Sequence, residues 1–427
     1  MKKIILHSLV FIASLAFLWG LLIVSSCIPN SAIKDNMVKS AMYYSNEDAF
    51  AFGKSGCYNS VSDNYADSIL LNVLWNIKSD FPISSSIDTK YYDGEEYGEN
   101  WGLLQTINGT SPNTDYTRYW HGAVVFIRPL MLFTDVSGVK NISFIILLIF
   151  ITVTLSFLIK DKHYFAASAL VLSLIGIQFW NLRLSLEYIP AFMVCFSLCP
   201  LYIILEKKGD IYLTVLSVIS GVMIAFFDFL TVETISVLLP LVIVFMIRTD
   251  DDRFGNFRNN FLLILKCGIC WVMSYAMTFV VKWSAASICT GKNKFSVAFS
   301  AAGVRLYGDD IEKIMPLHKQ IPSAILANLS TLFGGTERIE TSNIILGLIV
   351  TVILLVSIFC LFSKKEKNVS LTLIMLLISF VPYLRYMVLS NHSYLHEFFT
   401  YRAQIIVIIC LCSIVWCNIK FPVFRKK

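Results

Sequence analysis

The chain has 427 residues, of which 56% are hydrophobic and only 15% charged, with a mean hydropathy of +0.68. A soluble domain is about 45–50% apolar and about 25% charged, so the composition excludes a single soluble domain and points to many membrane spans. The net charge of +6 is modest, and loop orientation accounts for it without nucleic-acid binding.

Lys2 and Lys3 precede an apolar run from Ile4 to Val24, which is long enough to span a bilayer. Val24-Ser25-Ser26-Cys27 resembles a lipoprotein processing site, but an uncleaved first helix with a cytoplasmic N-terminus is the plainer reading. Residues 1–28 are therefore assigned to the first transmembrane helix, and 29–141 to a long extracytoplasmic loop.

Two pieces of that loop stand out. In the first, Ser62 or Asp63 can cap a helix on which Ile69, Leu70, Val73, Leu74 and Ile77 make one apolar face. Such a helix at a membrane exit is expected to lie in the interface plane, with Asp63 and Asp67 at headgroup level. Asp63 reads equally as an N-cap and as a catalytic carboxylate; Asp67 has no capping role, and a solvated face is its bland alternative. The second piece runs from Arg118 to Leu130 and reads as another interfacial helix. Helical geometry would gather Arg118, His121 and Arg128 within about 80° of one another, with Trp120, Val124, Val125 and Ile127 toward lipid and Pro129 forcing Arg128 out of helical conformation. Guanidiniums at a bilayer surface suit a phosphate, which Arg binds in a planar fork, or simply anchor the helix to headgroups.

Further spans are expected at about 142–159, 164–180, 188–205, 211–227, 234–247, 261–281, 343–362, 369–384 and 403–419, which with the first makes about ten. The chain thus divides into transmembrane helices 2–7 over 142–281, a second extracytoplasmic loop over 282–342, and helices 8–10 with a cytoplasmic tail over 343–427. Lys160, Lys162, Lys207, Lys208, Arg248, Arg253, Arg258, Lys364, Lys365 and Lys367 all fall on the side of Lys2 and Lys3. Lys/Arg excess marks the cytoplasmic side, so both termini are expected there. Most cysteines sit in apolar runs, and the CxxC spacing of Cys267 and Cys270 lies within a span, so small buried residues explain them better than metal or redox chemistry. Cys57 and Cys289 fall in the two long outer loops, where a disulfide between them is open.

The short outer links repeat the pattern of ionisable groups beside apolar walls. Arg183 and Glu187 are spaced to pair on a helix. Asp228 and Glu233 flank the turn of an apolar hairpin, and ionisable groups so near a membrane are functional candidates. In the last link, His392 and His396 would share a helical face, but no second His completes a metalloprotease pattern after His396-Glu397. Cations facing lipid phosphates, with Arg402 among them, are the more economical account. The spans themselves are nearly free of charge, unlike those of a transporter with a midplane site.

A first helix, a large outer loop with acidic residues and interface-lying helices, and about nine more spans resemble the GT-C glycosyltransferases, such as the protein O-mannosyltransferases and the aminoarabinose transferases of lipid A. Asp63 and Asp67 match that family's early carboxylate, and Arg128-Pro129-Leu130 resembles its basic, proline-containing stretch. A closer resemblance is to uncharacterised multispan proteins of low-GC Gram-positive bacteria, through Asp63-Asn64-Tyr65-Ala66-Asp67, Phe227-Asp228-Phe229-Leu230-Thr231 and His392–Arg402. The family's paired acids directly after the first helix are absent, with Glu47-Asp48 an alternative to Asp63, and so is a His-Pro-Pro at the next helix.

The resemblance implies an all-α polytopic membrane bundle that moves a sugar from a polyprenyl-phosphate donor to a cell-envelope glycan or glycolipid acceptor. It implies an Asp base, Asp63 ahead of Asp67, and Arg128, Arg402 and His396 on the leaving phosphate. No nucleotide and no resident metal are implied, although a divalent cation stays open. Two other readings compete. A polysaccharide-repeat polymerase or ligase would rely on Arg305, Asp309, Asp310, His318 and Arg338 of the second outer loop. A non-enzymatic carrier or flippase would expose its residues alternately on the two sides.

Overall fold

A computed structural model describes residues 2–94, 98–308, 315–348 and 366–418. The chain is helical, and its strands are confined to two short two-stranded antiparallel sheets among the described residues. Seven helices among the described residues are long and apolar enough to cross a membrane: Lys2–Ser26, Val136–Lys160, Ile189–Lys208, Asp210–Phe227, Phe257–Thr290, Val369–Val388 and Glu397–Asn418. Tyr164–Gly176 is a shorter apolar helix. The protein is therefore a multi-pass membrane protein of the all-α class. The span expected over 343–362 falls largely outside the described residues.

The bundle is built from α1 (Lys2–Ser26), α7 (Val136–Lys160), α8 (Tyr164–Gly176), α9 (Ile189–Leu205), α10 (Asp210–Phe227), α11 (Ile235–Asp250), α12 (Phe257–Thr290), α15 (Glu366–Val388) and α18 (Ile405–Asn418). Helix α11 forms its centre. Every residue from Ile235 to Ile247 is buried, so this helix is apolar all round because it meets protein on all faces. Helices α1 and α7 bury only one stripe each and turn the remaining apolar surface outward. Side-chain caps set several starts. Asp135 accepts the N–H groups of Ser137 and Gly138 at the head of α7, and Asn256 that of Asn259 at the head of α12.

One end of the bundle is laced by ion pairs. Glu206 is buried and lies 2.7 Å from Arg253 and 3.3 Å from Arg248, while Arg248 also reaches Asp210 at 3.0 Å. His163 contacts Asp250 at 3.2 Å. At the opposite end sit α2 (Asn30–Tyr44), β1 (Phe50–Phe52), β2 (Val61–Asp63), α3 (Asn64–Asn76), α4 (Pro82–Ile87), β3 (Lys90–Tyr91), α5 (Gly98–Ile107), β4 (Thr114–Asp115) and α6 (Val124–Leu130). The antiparallel β1–β2 register pairs Phe50 with Asp63 and Phe52 with Val61, and the chain passes from Asp63 directly into α3.

The layer at this end departs from the sequence reading in two ways. Asp67 through Leu74 are buried without a break, so α3 has no face for lipid; it is an internal helix held between α2 and α5 rather than an interfacial one. The segment from Arg118 to Ala123 is not helical, and only Val124–Leu130 forms α6. Arg118, His121 and Arg128 therefore share no helix face. Pro129 sits inside α6 and leaves Arg128 helical, and Trp120 is fully buried with its indole N–H 2.9 Å from the Thr278 carbonyl. The thiols of Cys57 and Cys289 are both free, so the disulfide left open between them does not form.

Candidate active site

A cavity of about 770 Å³ opens within the layer opposite the Glu206 ion pairs. Four separate parts of the chain supply its ionisable walls. Asp63 comes from the β2–α3 junction, Arg118 and His121 from the loop before α6, Glu187 from the link before α9, and His392 and His396 from the link after α15. Two more guanidiniums complete it. Arg305 is carried by α13 (Lys294–Tyr307), and Arg338 follows α14 (Leu317–Leu332).

Asp63 is 2% exposed and caps α3, accepting the Ala66 N–H at 2.9 Å. Burial pushes its carboxyl up to about 7; the Ala66 N–H opposes that, the nearby Asp67 charge adds to it and Lys140 subtracts. Glu187 is pushed well above the ordinary glutamate range, first by burial and then by the charges of Asp63, Asp228 and Asp67. One wall thus carries two carboxyls that resist ionising together.

The other walls carry cations on aromatic rings. The Arg118 guanidinium lies 4.1 Å from the Tyr116 ring centre and 5.5 Å from that of Tyr119, and Arg305 lies 5.6 Å from the same Tyr119 ring. Among the described residues neither has a carboxylate at ion-pair distance, and the Nε of each lacks a hydrogen-bond acceptor. Arg338 is partly spent. It donates to the Tyr394 carbonyl at 2.6 Å and lies 3.3 Å from Glu397.

The imidazoles are donors rather than cations. His121, held at φ 53°, donates from Nε2 to the Tyr116 carbonyl at 3.0 Å. Burial, more than neighbouring cations, lowers His121 and His396 to about 3 each and His392 well below its ordinary value. The His392 and His396 rings lie 4.7 Å apart, and His392 donates to the Leu230 carbonyl at 3.0 Å. Among the described residues no group of three or more His, Cys, Asp or Glu side chains is arranged to hold a metal ion.

Other sequence candidates lie outside the cavity lining. Asp67 is fully buried, with Lys140 at 2.7 Å, Tyr44 at 2.9 Å, and Ser185 Oγ and Leu186 N at 2.7 and 2.8 Å. Arg128 donates to the carbonyls of Ile28, Leu74 and Ile77 and to Asn30 Oδ1. Arg402 is buried over the Tyr188 ring at 4.4 Å. Arg183 is exposed at the end of the 3-10 turn Phe179–Leu184, whose geometry removes the pairing with Glu187. Asp228 closes its own turn through Thr231 N at 2.9 Å, and Glu233 pairs with Arg385 at 2.9 Å.

Arg305 and Arg338 were visible in the sequence only as parts of the second outer loop; Asp309 and Asp310 of that loop lie outside the described residues, and His318 is exposed. The tyrosine wall of Tyr65, Tyr91, Tyr116 and Tyr119 was missed altogether. Its one signal is that Tyr116 and Tyr119 bracket Arg118 in the chain. Comparison with models of known protein families, with curated proteins and with solved structures found no match to this chain.

Proposed function

We propose that this protein is a membrane glycosyltransferase of the GT-C type, moving a sugar from a polyprenyl-phosphate donor to a cell-envelope glycan or glycolipid acceptor. The reading includes about ten spans, both termini in the cytoplasm and the cavity at the outer face. One observation carries it: a single cavity brings a buried acid near its neutral-pH ionisation point together with two guanidiniums that have no carboxylate among the described residues. Asp63 takes the proton of the acceptor hydroxyl, which is the work of a base poised near the working pH. The hydroxyl oxygen then bonds to the anomeric carbon as the bond from that carbon to the phosphate oxygen breaks. Polyprenyl phosphate departs with the bonding pair, and Arg118 and Arg305 stabilise its charge. The free ring nitrogens of His121 and His392 accept hydrogen bonds from sugar hydroxyls, and the tyrosine faces suit the sugar ring.

The test is sugar transfer in proteoliposomes given radiolabelled polyprenyl-phosphate hexose and envelope glycolipid. Asp63→Asn is expected to lower the rate by about 10²–10⁴ while the protein still inserts. Full activity in Asp63→Asn/Asp67→Asn ends the reading. The polymerase or ligase alternative draws on Arg305 and Arg338, which the second outer loop brings to the same cavity. It predicts slight dependence on Asp63 and an altered glycan chain length without loss of single-sugar transfer.

A further inference from the structure

We propose that Asp67 and Lys140 form a buried positioning pair that holds both cavity acids in place and sets the pH at which Asp63 accepts a proton. The inference rests on the transferase reading for its consequence, but the pair itself stands on geometry.

Asp67 lies one helical turn beyond Asp63 on α3, and its side chain is completely buried. Its two oxygens divide their work. Oδ2 takes Lys140 Nζ at 2.7 Å and the Tyr44 hydroxyl at 2.9 Å. Oδ1 takes the Ser185 hydroxyl at 2.7 Å and the Leu186 N–H at 2.8 Å. Ser185 Oγ in turn accepts the Glu187 N–H at 3.1 Å. One carboxylate therefore ties the helix that presents Asp63 to the link that presents Glu187. Lys140 completes the tie from α7 and also donates to the Leu184 carbonyl at 3.0 Å.

Asp67 and Lys140 are an ion pair in a buried setting, and removing one partner leaves the charge of the other uncompensated. The charged and titratable groups around Asp63 are Asp67 on α3, Glu187 and Tyr188 on the link, Tyr44 on α2 and Lys140 on α7; from α5, Glu99 faces Tyr65. The Asp67 charge makes Asp63 harder to ionise, and the Lys140 charge makes it easier. Removing either alone therefore moves Asp63 in opposite directions. Asp67→Asn keeps acceptors for Ser185 and Leu186 but leaves Lys140 uncompensated, so Asp63 ionises at lower pH. Lys140→Met removes the opposing cation, so Asp63 ionises at higher pH.

The experiment uses the full chain in lipid nanodiscs. The protonated-carboxyl infrared band is titrated with pH, and Asp63→Asn identifies the Asp63 component. The acid limb of hexose transfer is measured alongside. Asp67→Asn is expected to lower the Asp63 midpoint by roughly one unit or more, and Lys140→Met to raise it comparably. Asp67→Asn/Lys140→Met should fall between them, close to the unaltered value, and Lys140→Gln, which removes the charge but keeps a donor, serves should Lys140→Met fail to fold. Unmoved midpoints in the single variants that fold overturn the proposal. Shifted infrared midpoints with no transfer activity in the unaltered protein uphold the pair and reject the transferase reading.

Discussion

Asp63 uses one carboxylate to cap α3 and to line the cavity, and Asn can do the first job but not the second. That separation has a thermodynamic consequence. A free aspartate ionises near 3.9, whereas burial pushes folded Asp63 up to about 7. The folded state therefore holds the proton more tightly, and the stability this contributes is complete below about pH 4 and lost as pH rises through about 7. Asp63→Asn, which cannot ionise, should be more stable than the native protein at pH 8, on the order of 4 kcal/mol, and gain little at pH 4. Thermal unfolding at the two pH values checks this, and equal shifts at both would contradict it. Activity and stability would then trade at one residue. Arg128 and Arg305 give the opposite contrast. Arg128 satisfies three backbone carbonyls and Asn30, so Arg128→Ala should cost about 3 kcal/mol or more of stability, with normal turnover per surviving molecule. Among the described residues Arg305 has one backbone bond, to Ala301 at 3.2 Å. Arg305→Ala should lower transfer by about tenfold or more with little change in unfolding temperature.

The elements that hold the cavity are fastened to one another by backbone as well as by side chains. Gly122 lets the loop carrying Arg118 and His121 lie directly on the end of α10. Its N–H donates to the Phe226 carbonyl at 2.9 Å, and a Cβ there would stand 2.4 Å from that oxygen. Gly122→Ala should therefore displace the loop and cost about 1–3 kcal/mol, read as a lowered unfolding temperature together with weaker transfer. The turn after α10 is fastened from the other side. Leu230, at φ 69°, offers its carbonyl to Arg385 at 2.5 Å and to His392 at 3.0 Å, while Arg385 also pairs with buried Glu233. Glu233→Gln would leave the Arg385 charge uncompensated and should cost about 3–5 kcal/mol, seen as poor recovery of folded protein.

At the scale of the molecule, the ion pairs around Glu206 close one end of the bundle and the cavity occupies the other. Membrane-impermeant maleimide added to intact cells is expected to label the exposed Cys289 and to leave Cys417 unlabelled throughout turnover. Labelling that changes sides would favour a carrier. The multi-pass, all-helical class was written in the sequence, because apolar runs must satisfy their backbone within the helix whatever they pack against. The N-cap of Asp63 was equally legible, since a cap is a contact between residues three apart. The faces of α3 and the course of Arg118–Leu130 were not. Periodicity records that a side chain is apolar, not whether lipid or protein covers it, and α3 is covered by protein on every side. The gathering of Asp63, Glu187, Arg118 and Arg305 lay further out of reach, because these groups are brought together only when α3, α9, α10 and α13 pack. The same packing sent Asp67 and Arg128 inward to partners far along the chain, Ser185 and Ile28, and no local pattern in the sequence encodes such distances.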